Sequence, residues 1–95
     1  MVYIHQAVHQ FEHDNRIVRV ALQRDGKYAF SSDSANDAFV WDLTTGEKIS
    51  ELKAFDRQLI FTSARFSDDG KQLLTGTPGG RVMLWDAMSG KRIDY

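Results

Sequence analysis

One stretch of eight residues occurs twice: Phe39-Val40-Trp41-Asp42-Leu43-Thr44-Thr45-Gly46 and Met83-Leu84-Trp85-Asp86-Ala87-Met88-Ser89-Gly90. The copies are 44 residues apart. Each is an apolar run ending in Trp-Asp, followed by a short polar turn closed by Gly. The same offset carries Asp25-Gly26-Lys27 onto Asp69-Gly70-Lys71, Phe11 onto Phe55 and Ile49 onto Ile93, with no gap between these anchors. A fixed period of this size means one supersecondary unit used repeatedly, and it limits the folds open to the chain.

Within each period the runs are short, rich in β-branched and aromatic residues, and separated by turn residues. Arg16 to Leu22 alternates apolar residues at Val18, Val20 and Leu22. Asp25-Gly26 then supplies the positive φ of a tight turn, expected here as a two-residue hairpin. Tyr28 to Ser32 returns, Asp33 to Asp37 turns, Ala38 to Asp42 forms a third strand and Lys48 to Leu52 a fourth. The second unit repeats this with Ile60 to Phe66, Gln72 to Thr77, Val82 to Asp86 and Lys91 to Tyr95. Pro78-Gly79-Gly80 is a forced turn between its second and third strands. Tyr3 to Val8 aligns with the fourth strand of a unit. The alternative, a helix with His5, His9 and His13 on one face, conflicts with the period. The fold class expected is all-β, with four antiparallel strands per period.

Four short strands per repeat of roughly 40–45 residues, with Trp-Asp closing the third, resemble the WD-repeat β-propeller family. The resemblance covers nearly all of residues 11–95 and rests on Trp-Asp with Asp-Gly upstream and Gly downstream, twice in register. It implies an outer strand of a preceding blade at residues 1–10, a first blade at 11–54 and a second at 55–95. In that family the innermost strand lines a channel. The loops between strands two and three, and between one blade and the next, lie on the face commonly used for binding. By resemblance that face carries Asn15 and Asn36 from the first unit and Arg57 and Gln58 from the second.

The family also has a structural hydrogen-bond chain. A Gly-His before the first strand joins a Ser or Thr of strand two, a turn Asp and the Trp. The first unit has His13, Ser31 and Trp41. Ala35 stands where the Asp is expected, flanked by Asp33 and Asp37, and Asp37 is the position selected to complete the chain. The second unit keeps Thr75 and Trp85, but it has Asp56-Arg57 for Gly-His and Gly79 for the Asp. Arg57 is thereby released from a structural role. An arginine at a loop rim combines a planar donor fork with a stem that packs, and it is frequent at interface hot spots.

Catalytic and metal readings have less behind them. His5, His9 and His13 on a strand are separated by about 13 Å per step, too far for one zinc with ligands near 2 Å. No metal site is expected. Asp68-Asp69 and the Asp33/Asp37 pair fall in turns, where Asp bonds nearby backbone. Ser31, His13 and an Asp have the residue types of a hydrolase triad, but the resemblance buries them within a blade. Gly79-Gly80 lacks the Lys and the helix of a phosphate loop. No enzyme activity and no cofactor are expected.

Composition narrows the partners. The formal net charge is −1, with acidic and basic residues interspersed. That pattern leaves no electrostatic footprint for nucleic acid or an anionic membrane. No apolar run reaches membrane-span length, and no targeting signal is evident within the chain. There is no Cys for a disulfide or thiolate site. The expected function is a protein–protein interaction scaffold, with two blades forming part of a longer propeller. Two blades cannot close a ring of four to eight. Their exposed apolar faces therefore offer sites for self-association in the alternative reading, a structural module built from several copies. Non-catalytic service within a larger enzyme is the remaining alternative.

Overall fold

The computed structural model describes residues 10–52 and 61–93. The strand expected at Tyr3 to Val8 and the positions Arg57 and Gln58 lie outside the described residues. Seven strands run in chain order: β1 Ile17–Leu22, β2 Tyr28–Asp33, β3 Ala38–Asp42, β4 Lys48–Glu51, β5 Ser63–Phe66, β6 Gln72–Gly76 and β7 Val82–Asp86. They form two antiparallel meanders, β1-β2-β3-β4 and β5-β6-β7. In the second sheet the fourth-strand position is marked by a single bridge, Trp85 with Arg92. No helix long and apolar enough to cross a membrane occurs among the described residues.

The turns repeat as closely as the strands. Gly26 and Gly70 both have φ of +75°, as Asp-Gly implied. The loops are longer than a two-residue hairpin, however. The Gln23 N–H donates to the Tyr28 carbonyl, and the Gly26 N–H donates to the Gln23 carbonyl. Arg24 and Asp25 are thus the central residues of a β-turn, and Gly26 takes the left-handed position after it. Ser67, Gly70 and Gln72 repeat both bonds. Between β2 and β3 the turn Ser34-Ala35-Asn36 ends on Asn36 at φ +70°, and Pro78-Gly79-Gly80 ends on Gly80 at +86°. Asn is the side chain that best tolerates this conformation. Both Trp-Asp carboxylates act in turns. Asp42 Oδ1 accepts the N–H groups of Thr44 and Thr45, and Asp86 Oδ1 those of Met88 and Ser89.

Side-chain alternation gives each sheet two faces, and one core lies between the sheets. The first sheet contributes Phe30, Ala38 and Val40; the second contributes Phe66, Leu73, Met83 and Trp85. Phe61, just before β5, joins them. Its ring meets Phe30 edge-on at 6.2 Å between centroids and Trp85 at 5.8 Å. Edge-to-face contact at these distances adds to the burial of large apolar area. The seam is also tied by hydrogen bonds from the first sheet. Ser32 Oγ donates to the Phe61 carbonyl at 3.2 Å, Ser50 Oγ to the Ala87 carbonyl at 2.6 Å and Gln23 Nε2 to the Asp68 carbonyl at 2.8 Å. Trp41 is not part of this core. It points to the opposite face of the first sheet, where Phe11 stacks on it at 4.6 Å.

Candidate functional site

The residues singled out by the resemblance come together in the first sheet. His13 lies in the segment leading into β1. Its Nδ1 is 2.8 Å from Asp33 Oδ2, and its Nε2 is 2.6 Å from Ser31 Oγ. Trp41 Nε1 donates to the same Ser31 Oγ at 2.8 Å. The His13 and Asp33 side chains are each 1% exposed. One proton arrangement satisfies every group. The indole only donates, so Ser31 Oγ accepts from it and its hydroxyl donates to His13 Nε2; His13 Nδ1–H then donates to the Asp33 carboxylate. Buried polar groups are stable in such a place only when fully paired.

The carboxylate in this chain belongs to Asp33, which corrects the selection of Asp37. Asp37 is exposed and gives its backbone N–H to Asp33 Oδ1, as Ala35 does. The physical reason is the place of Asp33 on β2. It lies two residues beyond Ser31 on the same face, within the span of one imidazole. It also opens the turn, so its second oxygen is free for the turn's N–H groups. In the second sheet Trp85 Nε1 donates to Thr75 Oγ1 at 2.9 Å. Thr77 stands at the Asp33 position, and its Oγ1 accepts the Arg81 N–H at 3.2 Å.

Aromatic and cationic groups surround the His13 chain. The His13 ring lies 4.8 Å from that of Phe39, and Lys48 Nζ sits 3.8 Å from the Phe39 centroid. A cation this close to a ring face is attracted by the π-quadrupole. The Ser-His-Asp order matches the constituents of a nucleophilic triad, but Ser31 is buried and its oxygen already takes the Trp41 N–H. Among the described residues no group of three or more His, Asp or Glu gathers to hold a metal ion.

The loop rim at this end is built from two segments. The Ser34 N–H donates to the Arg16 carbonyl at 2.9 Å, joining the entry segment to the β2–β3 turn. Asn15 is exposed on the first segment and Asn36 is half-buried on the second. Asn36 Oδ1 is enclosed without a hydrogen-bond partner. At the opposite rim lie the β1–β2 and β5–β6 turns. There the Lys71 backbone N–H and the Ser67 hydroxyl hold the Asp69 carboxyl below the usual carboxylate range.

Comparison with known proteins agrees with this geometry. Residues 46–86 match the family model for the WD domain, G-beta repeat. That window begins before β4 and ends with β7, so one sequence repeat spans the last strand of one sheet and three strands of the next. The chain is 31% identical to the Protein LST8 homolog of Drosophila melanogaster, over 78% of this chain and 25% of that protein. It is 27% identical to Pre-mRNA-processing factor 19 of Dictyostelium discoideum, over 90% of this chain and 16% of that protein. The chain therefore spans a quarter or less of these curated relatives. Among solved structures it resembles the Cps50 (Swd1) β-propeller domain of Myceliophteria thermophila, with a TM-score of 0.70 and 28% identity over 86% of this chain and 25% of that one. It shares the fold of Hsv2 from Kluyveromyces lactis, with a TM-score of 0.72 and 18% identity over 79% of this chain and 24% of that one. With period, strand order and matched repeat in agreement, the chain belongs to the WD-repeat β-propeller family.

Proposed function

We propose that this chain supplies two adjacent blades of a protein-binding scaffold, and that partners are taken at the rim carrying Asn15, Asn36, Arg57 and Gln58. WD-repeat proteins generally bind protein partners, and their propeller domains are generally non-catalytic. The observation that carries the finer reading is the fixing of two rim segments by one buried network. Asp33 holds the β2–β3 turn through Oδ1 and His13 through Oδ2, while Ser34 bonds Arg16. Loops held this way lose little further freedom on binding, so less of the contact energy is offset by ordering. Arg57 contributes the planar fork suited to a protein carboxylate or backbone carbonyl.

Site-specific photo-crosslinking tests this. A crosslinker at Asn15 or Arg57 is compared with one at Asp25 or Asp69 on the opposite rim, in the same cell extract. The reading expects discrete protein adducts from the first pair, with those from Asn15 lost when Arg57 is changed to Ala in a chain that keeps its melting temperature. Equal adducts from both rims would remove the assignment.

A further inference from the structure

The 44-residue offset pairs Gln23-Arg24-Asp25-Gly26-Lys27 with Ser67-Asp68-Asp69-Gly70-Lys71. The two turns share one backbone. Each Gly has φ of +75°, and its N–H donates at 2.9 Å to the carbonyl of Gln23 or Ser67. Both aspartates are exposed. Their carboxylates, however, are held differently. Asp69 Oδ1 accepts the Lys71 N–H at 2.9 Å and the Ser67 hydroxyl at 2.7 Å. In the first turn the 1%-exposed Gln23 takes that place. Its Nε2 reaches across the seam to the Asp68 carbonyl at 2.8 Å, and its Oε1 accepts the Lys27 N–H at 3.1 Å. The N–H that binds the aspartate in the second turn is thus used by a glutamine in the first. Asp25 keeps one hydrogen-bond contact among the described residues, Gln23 Nε2 at 3.5 Å, the outer limit of such a bond.

Asp-Gly is open to backbone rearrangement because Gly puts no side chain beside the attacking nitrogen. The Gly nitrogen attacks the Asp side-chain carbonyl carbon. A C–N bond forms, the carboxyl C–O bond breaks, and water leaves with the amide proton to give a succinimide. Water then adds to either ring carbonyl. Opening at the side-chain carbonyl restores Asp; opening at the main-chain carbonyl gives isoaspartate, with one methylene moved from side chain to backbone. Release of the Gly N–H from its turn bond is needed in both turns and does not separate them. The carboxyl must also be protonated and free to swing onto the nitrogen. Both requirements oppose reaction at Asp69, whose bonds hold its carboxyl in place and in the ionised form. We propose that Asp25 is a modification site that isomerises to isoaspartate, while Asp69 is protected by its own turn. The product is a substrate for a carboxyl methyltransferase acting on isoaspartyl groups. There the methyl of S-adenosylmethionine passes to an oxygen of the freed main-chain carboxylate, releasing S-adenosylhomocysteine. This inference stands apart from the loop-rim reading.

The purified 95-residue chain, held at neutral pH and sampled over weeks, tests this. Cleavage at lysine separates residues 1–27 from residues 54–71, and fragmentation of each peptide locates isoaspartate, which forms without a change in mass. Isoaspartate is expected to form at Asp25 about tenfold or more faster than at Asp69, where two hydrogen bonds must first break. Labelled methyl transfer from S-adenosylmethionine by an isoaspartyl carboxyl methyltransferase should follow the same course. Asp25→Glu, whose longer side chain disfavours the ring, should remove it. Gln23→Ser gives the first turn the residue of the second and is expected to slow Asp25 to the rate of Asp69. If that variant loses its circular dichroism, Ser67→Ala is the converse test and is expected to raise the rate at Asp69. Equal rates in the two turns of the unmodified sequence overturn the proposal, as does the absence of isoaspartate at Asp25. So does a folded Gln23→Ser or Ser67→Ala variant that leaves its aspartate's rate unmoved.

Discussion

The two blades have the same strands and turns but hold their tryptophans differently. Trp85 lies in the core shared with the neighbouring blade's Phe30, Ala38 and Val40, meets Phe61 of its own blade edge-on and is 1% exposed, with one hydrogen bond to Thr75. Trp41 faces away from that seam. It is enclosed by Phe11 from its own blade and bonded to Ser31, which passes the bond to His13 and Asp33. Among the described residues, Trp85 is thus covered at the seam between the blades and Trp41 by groups of its own blade. A repeat sequence fixes the strand scaffold, while the means of burying each blade's Trp varies with what lies against it.

The glycines repeat the contrast. A side chain at Gly90 would collide with the Glu51 backbone across the seam, whereas one at Gly26 meets nothing within 4 Å. Both have φ of +75°.

The largest expected effect comes from Trp85→Ala, which empties the shared core. A loss of about 3–5 kcal/mol is expected in urea denaturation, with both sheets lost in one transition. Next is Gly90→Ala, at about 3 kcal/mol from strain and collision together. Gly26→Ala, with strain alone, is expected to cost about 1 kcal/mol. Equal losses for the two glycines would show that the seam is not packed as described. Asp33→Ala leaves His13 and two turn N–H groups without an acceptor and is expected to cost about 2–3 kcal/mol. Asp37→Ala should stay within about 0.5 kcal/mol; reversal of that order would return the carboxylate role to Asp37. Arg24→Ala removes an exposed ion pair to Asp68 at 3.6 Å and should change stability by under about 1 kcal/mol.

The period made the meander, the positive-φ glycines and the pairing of Ser31 with Trp41 legible in the sequence, because each depends on local chemistry at a fixed spacing. The choice between Asp33 and Asp37 was not, since both flank the turn and share the alternation of Ser31 and Trp41. The signal that distinguishes them is present nonetheless. Asp33 opens its turn as Asp42 and Asp86 open theirs, with an oxygen accepting the following N–H groups. Turn length was misread at Asp25-Gly26 because Asp-Gly suits both a two-residue loop and the end of a longer one. Trp41 and Trp85 lie on equivalent faces of their sheets, and Trp85 is the one in the seam because the second sheet docks that face on the first.

That the blades form one cooperative unit through the Phe30–Phe61–Trp85 contacts is tested most directly by hydrogen exchange on Phe30→Ala. The substitution lies in β2 of the first blade. It should deprotect the amides of β6 and β7 in the second blade to the same extent as those of β2 and β3. Retained protection in β6 and β7 while β2 and β3 open would show that the blades fold independently, and would contradict the shared core.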